Sequence, residues 1–353
     1  MNNYLNNLVD MGYFPGCVCS VIKKGQISYY NAGNKSIIPN IETTNLDTLY
    51  DLASLSKVIS TNTIITKLLQ DNKIKLDDKV KKYLPRFQYE EITIFHLLTH
   101  TSGLPADLDW AKFKTKEEMV DYIYKDIKIN NIGKIIYSDI GFIILGLIIE
   151  NIYNKPLDVV AQNEVFNPLH MTNTCYNPKN KDLCASTEKV NEEVIKGIVH
   201  DEKARIMNGV SGSAGVFSNV SDLTKFVNMI LNDGIVDNKV FIKKEYIDLW
   251  FQILVSNNET NRSIGFLVSN GSNPCTKLSS VAIYHYGFTG TIIIIDRQRK
   301  FGIILLSNRI HPTRDNKLLN ENRTEVLDSI IEIEKECSNR LIKTNKNRNK
   351  IDK

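Results

Sequence analysis

Strand-like alternation at both ends of the chain, with helix-like spacing between them, is the pattern that most limits the fold. The alternation is found in six segments: 18–22, 26–30, 264–268, 281–286, 290–295 and 301–306. The first two flank a Lys-Lys-Gly turn, which is typical of a β-hairpin. In the middle, apolar residues recur every three to four positions, the period of a helix. This order predicts an α+β fold whose antiparallel sheet joins the N- and C-terminal segments around an inserted helical region.

No repeat or Pro-rich linker divides the sequence, so we predict a single domain over residues 1–342 with its helical insertion at about 70–220. Thr115 and Glu118 form a predicted capping box ahead of a helix. Ser221 is expected to begin another helix that ends before Gly234. A closing helix is predicted for residues 324–337.

The longest apolar run, Ile140–Ile149, is about half as long as a bilayer span requires. We therefore predict a buried helix there and no transmembrane segment. The start of the chain lacks the basic and apolar regions of a secretory signal, which predicts a cytoplasmic location.

Net charge argues against one class of partner. The tail 343–353 carries five basic residues and one acid, which accounts for the whole net charge of +4. The body is left neutral, and a nucleic-acid-binding protein needs a basic folded surface. We expect no nucleic-acid partner and a disordered tail.

Cysteine use is consistent with a reducing location. The six cysteines are Cys17, Cys19, Cys175, Cys184, Cys275 and Cys337. With no visible signal peptide they are expected to be reduced. Cys17 and Cys19 could ligate a metal ion, but no second close pair accompanies them, so we predict no metal site. His96 and His100 are also spaced for a metal, and we interpret that segment as a structural turn.

A Ser-x-x-Lys motif can carry nucleophilic chemistry, because one helical turn places an ammonium group beside the hydroxyl. The sequence holds three copies, which begin at Ser20, Ser54 and Ser186. Only the copy at Ser54 and Lys57 lies where a loop turns into an apolar helix, whose free N–H groups favour a developing oxyanion. By itself this motif favours the interpretation of Ser54 as an N-cap serine and of Lys57 as a surface lysine.

The motifs that follow the copy at Ser54 favour a nucleophile over an N-cap serine. That copy lies in Tyr50-Asp-Leu-Ala-Ser-Leu-Ser-Lys57, and it is followed in order by Leu97-Leu-Thr-His-Thr-Ser-Gly-Leu-Pro105, Tyr137-Ser-Asp139, Gly212-Ser-Ala-Gly-Val-Phe-Ser218 and His285-Tyr-Gly287. This series resembles the serine β-lactamase and penicillin-binding protein superfamily. It is most similar to the branch of class C β-lactamases, D-alanyl-D-alanine carboxypeptidases and related esterases.

The resemblance implies a serine β-lactamase/DD-peptidase fold and a serine hydrolase that works through an acyl-enzyme, with no cofactor. Ser54 would be the nucleophile, Lys57 its proton partner and Tyr137 a general base. Whether Tyr137 or Lys57 is the true base stays open. Gly287 would let substrate approach the strand edge, and the backbone N–H groups of Ser54 and Phe288 would form the oxyanion hole.

Two departures from the family pattern bear on the substrate. His285 stands where the family has lysine, and a histidine is largely neutral at pH 7. Asp139 stands where the family has asparagine, which adds an anion near Lys57 and removes a donor. Both changes disfavour substrates with a carboxylate. We therefore expect a small-molecule ester, amide or peptide substrate and an esterase- or peptidase-like hydrolase.

Alternatives remain open at this point. The first is a D-alanyl-D-alanine carboxypeptidase or a weak class C-like β-lactamase. The second is a non-catalytic sensor or scaffold that keeps the fold. Tyr137 could also be a helix-start aromatic, and His285 a strand histidine without a role. Ser213 stands where relatives often carry histidine, and we expect it to have a packing role.

Overall fold

The computed structural model describes residues 1–336 and is built around one nine-stranded antiparallel sheet. In spatial order its strands are Val255–Ser256, Asn261–Arg262, Leu267–Val268, Ile283–Tyr286, Ile292–Asp296, Phe301–Ser307, Gly16–Lys23, Gln26–Ser36 and Glu42–Thr43. Gly16–Lys23 pairs with Gln26–Ser36 on one side and with Phe301–Ser307 on the other. The predicted joining of the two ends of the chain is therefore confirmed.

Alternation along Gly16–Lys23 explains how the sheet is covered on both faces. Val18 and Ile22 point into one apolar cluster, and Cys17, Cys19 and Val21 point into the other. The first cluster is covered by the helix Val220–Leu231, and the second by the helices Asn2–Asp10 and 323–336. A strand buried on both faces needs apolar side chains at almost every position.

The helical region lies over the first face. Its helices, with the shorter 3₁₀ and π turns, are Ala53–Leu55, Lys57–Asn62, Thr63–Gln70, Val80–Tyr83, Ile94–Leu98, Trp110–Lys112, Lys116–Lys125, Asp139–Tyr153, Leu157–Ala161, Gln162–Phe166, Lys181–Leu183 and Glu202–Ile206. Lys244–Phe251 and Leu318–Glu321 follow later in the chain. Asp139–Tyr153 is the buried helix predicted from Ile140–Ile149, and Asn154 ends it in the left-handed region at φ 49°.

Within residues 1–336, no single helix is long and apolar enough to cross a membrane. The helices Asp139–Tyr153 and Leu157–Phe166 reach that length only as a pair, and the pair is bent by 78°.

The end of the predicted helical insertion is not mainly helical. Short strands form there: Cys175–Tyr176, Ser186–Val190, Glu193–Lys196 and Val216–Ser218. Val216–Ser218 pairs with Tyr50–Asp51 and with Cys175–Tyr176 in a three-stranded sheet. A further two-stranded sheet joins Ile235–Val236 to Lys239–Val240. Two-residue strands leave no readable alternation, which is why sequence analysis missed most of them.

Two predicted helix starts differ in detail. The helix expected at Ser221 begins at Val220, because the Asn219 side chain caps it by accepting from the Asp222 backbone N–H. Thr115 caps its helix as predicted, by accepting from the Glu118 backbone N–H. The Glu118 side chain, however, accepts from the Lys114 backbone N–H rather than from that of Thr115, so only half of the capping box forms. The predicted tail 343–353 and Cys337 lie outside the described residues.

Candidate active site

Ser54 lies at a sharp turn between the strand Tyr50–Asp51 and the helix that follows. The turn is made by Ala53, which adopts φ 47°, a left-handed conformation that is costly for a residue with a side chain. The Ala53 backbone N–H donates to the Asp51 carboxylate at 2.9 Å, which holds this conformation. Ser54 is half-buried and lines a cavity of about 470 Å³. The hydroxyl is therefore presented to a pocket rather than to the interior.

Lys57 follows one turn later and is completely buried. Its Nζ atom lies 3.1 Å from Ser54 Oγ, 2.9 Å from the Ser213 carbonyl oxygen and 2.7 Å from Asp139 Oδ1. An ammonium group has three N–H bonds, and three acceptors are present here. Ser213 is buried, and it contacts Lys57 through its backbone carbonyl; the packing role expected of its side chain stays a prediction.

The charge state of Lys57 follows from these neighbours. Burial by itself lowers the pKa of Lys57, but the Asp139 carboxylate and Tyr137 outweigh it, and the pKa is raised. Burial likewise opposes the ionised form of Asp139, yet Lys57 and Lys203 keep the pKa of Asp139 below its ordinary value. Lys57 and Asp139 therefore form a buried ion pair in which both groups are charged at neutral pH.

Tyr137 is held in place by the segment that contains His100. The Ser138 backbone N–H donates to His100 Nδ1 at 3.0 Å, and Ser138 Oγ donates to the Pro105 carbonyl at 2.6 Å. The His100 ring packs against the Tyr137 ring, with 4.6 Å between their centroids. Lys57 Nζ lies 5.2 Å from the centre of the Tyr137 ring. Ser54, Lys57 and Tyr137, which we predicted to converge, meet at one pocket.

His96 and His100 do not face a common site. His96 Nδ1 accepts from the Thr93 backbone N–H and completes a capping box. His100 Nδ1 accepts from Ser138, as described above. Both histidines make structural hydrogen bonds, and His100 also supports Tyr137.

His285 lies on the strand Ile283–Tyr286 at the opposite wall of the pocket. Its Nδ1 atom donates to the Tyr286 carbonyl at 2.9 Å, which leaves Nε2 as an acceptor with no partner among residues 1–336. Burial, and then Lys57 and Arg262, lower the pKa of His285 to about 3. His285 is therefore neutral at pH 7, as we expected from its replacement of lysine.

The turn after His285 is fastened to the segment that precedes Ser54. Thr289 Oγ1 donates to the Asp51 carbonyl at 2.7 Å, and Thr291 Oγ1 donates to the Leu52 carbonyl at 3.0 Å. These two bonds fix the Phe288 backbone relative to the Ser54 backbone. Both Ser54 and Phe288 line the pocket, where the predicted oxyanion hole requires them.

Gly287 lines the pocket, and close packing gives a further reason for its small size. A Cβ atom at this position would lie 2.0 Å from Thr291 Oγ1 and 2.4 Å from the Leu52 carbonyl oxygen. A side chain at Gly287 would therefore force the turn away from the Ser54 segment. The glycine serves this close backbone approach, and its role in the access of substrate to the strand edge stays a prediction.

Sequence analysis missed Arg262 and Lys203, which both line the pocket. Arg262 lies on the two-residue strand Asn261–Arg262 and is only 5% exposed. Its guanidinium lies 5.4 Å from the centre of the Tyr137 ring, and its Nε and Nη1 atoms find no hydrogen-bond partner among residues 1–336. Neither residue belongs to a motif or a long periodic segment, so no sequence signal marked them.

The other two Ser-x-x-Lys copies are structural. Ser20 is buried inside the large sheet, where its hydroxyl accepts from Thr224. Ser186 begins the strand Ser186–Val190, and its hydroxyl donates to Ser36. The remaining cysteines, Cys17, Cys19, Cys175, Cys184 and Cys275, are free thiols in the described part of the chain.

Comparisons with known proteins agree with this geometry. The Beta-lactamase family model matches residues 1–328. The N-acetylmuramyl-L-alanine amidase of Bacillus subtilis (strain 168) is 31% identical over 346 residues, which cover 84% of this chain and 78% of that protein. A protein of Escherichia coli (strain K12) named "Putative D-alanyl-D-alanine carboxypeptidase" is 30% identical over 374 residues, which cover 92% of this chain and 85% of that protein.

Solved structures show the same fold. The class C beta-lactamase from Rhodobacter sphaeroides superimposes with a TM-score of 0.75 at 18% identity, covering 93% of this chain and 98% of that one. The chain belongs to the beta-lactamase family and is a serine hydrolase of that family. The resemblance and the fold class predicted from the motifs are both confirmed.

Proposed function

We propose that the chain cleaves esters and amides in two steps through an acyl-enzyme on Ser54, without a metal or organic cofactor. The observation that carries the proposal is the 3.1 Å contact between Lys57 Nζ and Ser54 Oγ at the floor of the pocket. Ser54 Oγ attacks the substrate carbonyl carbon while a base takes its proton. The bond from that carbon to the leaving group then breaks, which leaves an ester on Ser54, and the departing alcohol or amine takes the proton from the base. Water then hydrolyses the ester and frees Ser54.

Lys57 acts in this proposal as a fixed positive charge. It donates to Ser54 and Ser213 and forms an ion pair with Asp139, which favours the protonated form, so no lone pair is available to take the Ser54 proton. The phenol oxygen of Tyr137 is then the remaining candidate for the base, and it reaches the same pocket. The negative charge that develops on the substrate oxygen is met by the backbone N–H groups of Ser54 and Phe288.

The test compares Ser54→Ala with Ser186→Ala, which removes the serine of another Ser-x-x-Lys copy outside the pocket. The wild type and Ser186→Ala should hydrolyse p-nitrophenyl butyrate and bind a fluorophosphonate probe covalently, as seen by intact mass. Ser54→Ala should lose the label and at least a thousandfold of kcat/KM. Equal labelling of both variants would contradict the serine mechanism. A wild type with neither label nor turnover would favour a non-catalytic sensor.

A second candidate function is supported by Arg262. We inferred from His285 and Asp139 that substrates with a carboxylate are disfavoured, but that inference assumed no other cation in the pocket and an unbalanced Asp139. Arg262 supplies a buried guanidinium with two nitrogen atoms, Nε and Nη1, that have no hydrogen-bond partner among residues 1–336, and Asp139 is paired with ammonium groups. A guanidinium with free donors fits a carboxylate. This favours a peptidase that removes a C-terminal residue, the activity named for several relatives of 30–31% identity.

A further inference from the structure

Lys203 is a buried ammonium group on the wall of the pocket, and its side chain is 3% exposed. Its Nζ atom lies 2.8 Å from Asp107 Oδ1, 3.0 Å from Asp201 Oδ2 and 3.4 Å from Asp139 Oδ2. Burial opposes its charge, but these carboxylates outweigh that effect and raise the pKa of Lys203. Three segments that are distant in sequence therefore meet at one cation: the loop before residue 110, the start of the buried helix Asp139–Tyr153 and the helix Glu202–Ile206.

Asp139 connects Lys203 to Lys57, which in turn contacts Ser54. One of its carboxylate oxygens, Oδ1, contacts Lys57 at 2.7 Å, while the other, Oδ2, faces Lys203. An ion pair at each oxygen opposes rotation of the carboxylate away from Lys57. The two ammonium groups also keep Asp139 ionised in a place where burial alone would protonate it.

The charged and titratable groups that surround Asp139 come from every packed segment. They are Lys57, Asp107, Tyr137, Asp201, Lys203 and His285. Asp107 is largely exposed, and His285 is neutral at pH 7, so neither dominates the protonation state of Asp139. Lys57 and Lys203 are the two cations in contact with this carboxylate.

We propose that Lys203 is a positioning residue for the reaction. It holds the Asp139 carboxylate turned toward Lys57, and so allows an aspartate to function at a position where the family pattern has asparagine. The inference rests on the proposed acyl-enzyme function at Ser54. Lys203 touches neither Ser54 nor the reacting atoms. Its influence passes through Asp139 to Lys57.

The experiment measures the pH dependence of kcat for p-nitrophenyl butyrate in Lys203→Met and Lys203→Arg. Without the second cation Asp139 takes up a proton more easily, so the acid limb of the profile should move to higher pH by about one unit or more. At the pH optimum kcat should fall about tenfold, because Lys57 loses its fixed partner. Lys203→Arg keeps the charge and should restore most of kcat and the wild-type acid limb.

Two further variants separate this role from a loss of stability. Lys67→Met is the control, because it removes a half-buried lysine that pairs with Glu164 at 2.8 Å, away from the pocket. It should leave the profile unchanged. In an Asp139→Asn background, Lys203→Met should no longer move the acid limb, since the group that it controls is gone. Lys203→Gln replaces Lys203→Met if the latter fails to fold.

The inference is overturned by a Lys203→Met profile that matches the wild type, by an equal shift in Lys67→Met, or by an undiminished shift in the Asp139→Asn background. Ser54→Ala is measured alongside. Full activity in Ser54→Ala would overturn the proposed function itself. An inactive Ser54→Ala together with a normal Lys203→Met would overturn only the role of Lys203.

Discussion

The two walls of the pocket differ in how their buried polar side chains are paired. On the wall formed by the helical region, Lys57 and Lys203 each contact several acceptors, and Asp139 lies between them. On the wall formed by the sheet, Arg262 and His285 are equally buried but keep nitrogen atoms without partners in the described chain. Charges that are paired inside the protein are fixed before substrate arrives. Charges left unpaired have free hydrogen-bonding capacity for a ligand.

The difference has an energetic side. A buried ion pair is costly to break, because removing one partner leaves the other charge without compensation. A buried unpaired cation, in contrast, costs stability in the empty protein. Substitutions in the wall with Lys57, Asp139 and Lys203, the paired wall, should therefore destabilise the fold. Substitutions in the wall with Arg262 and His285, the unpaired wall, should affect binding more than folding.

The largest expected effect is on the unpaired wall. Arg262→Met should lower kcat/KM for an acyl-D-alanyl-D-alanine peptide about 10- to 100-fold, the value of a lost charge-assisted hydrogen bond. The neutral ester p-nitrophenyl butyrate should be hydrolysed at nearly the wild-type rate. The melting temperature should rise, because an unpaired buried charge has been removed, whereas Lys203→Met should lower it. The measurements are steady-state kinetics with both substrates and thermal melts.

An equal loss on the peptide and the neutral ester would show that Arg262 supports the pocket in general and does not read a carboxylate. A lower melting temperature in Arg262→Met would remove the contrast between the two walls. In that case the guanidinium has a structural role that the fold itself requires.

The next effect concerns the contact between the walls. Thr289→Val has nearly the same shape but leaves the Asp51 carbonyl without its 2.7 Å hydrogen bond. We expect kcat for p-nitrophenyl butyrate to fall about tenfold with little change in KM, because the two oxyanion donors are then less well held. Thr289→Ser keeps the hydroxyl and should retain most of the wild-type kcat. If the valine and serine variants have the same kcat, this hydrogen bond does not position the oxyanion hole.

The smallest effect is on the pH dependence of stability and concerns His285. Its pKa is lowered to about 3 in the folded protein, against about 6.5 in an unfolded chain. Between these values the unfolded chain binds more protons, so the folded state loses stability as the pH falls below 6.5. In His285→Gln, the loss of unfolding free energy between pH 7 and pH 5 should be smaller than in the wild type by about 2 kcal/mol.

Urea unfolding at the two pH values measures this difference. His170→Gln is the control, because His170 is an exposed histidine outside the pocket, and it should lose as much stability as the wild type. His100, whose pKa burial also lowers, should supply part of the remaining loss in every variant. An unchanged loss in His285→Gln would mean that this ring is not held neutral by its surroundings.

The sequence predicted the groups at the centre of the site and missed those that surround them. Ser54, Lys57 and Tyr137 belong to motifs whose series resembles a known family, and that resemblance implied that they meet. Asp139 was expected near Lys57 for the same reason. Arg262 and Lys203 lie on short elements without periodicity, and their importance comes from neighbours that are far away in sequence. Only the folded chain shows which charges are paired.

The sequence likewise predicted the long elements of the fold and missed the short ones. Long strands such as Gly16–Lys23 and Phe301–Ser307 alternate over enough residues to be recognised, and so do the long helices. The two-residue strands around Val216–Ser218 depend on pairing rather than on local pattern, and they were predicted as part of a helical region. The single-domain prediction, the roles of the site residues and the cytoplasmic location stay predictions.

The pairing of the first long strand with the last has a consequence for the newly made chain. Gly16–Lys23 can pair with Phe301–Ser307 only after that last strand has been synthesised. The turn that carries Phe288 is synthesised only shortly before it. During translation the segment with Ser54 leaves the ribosome long before the segment with Phe288 is made. The pocket that both residues line therefore cannot be complete until synthesis is almost finished.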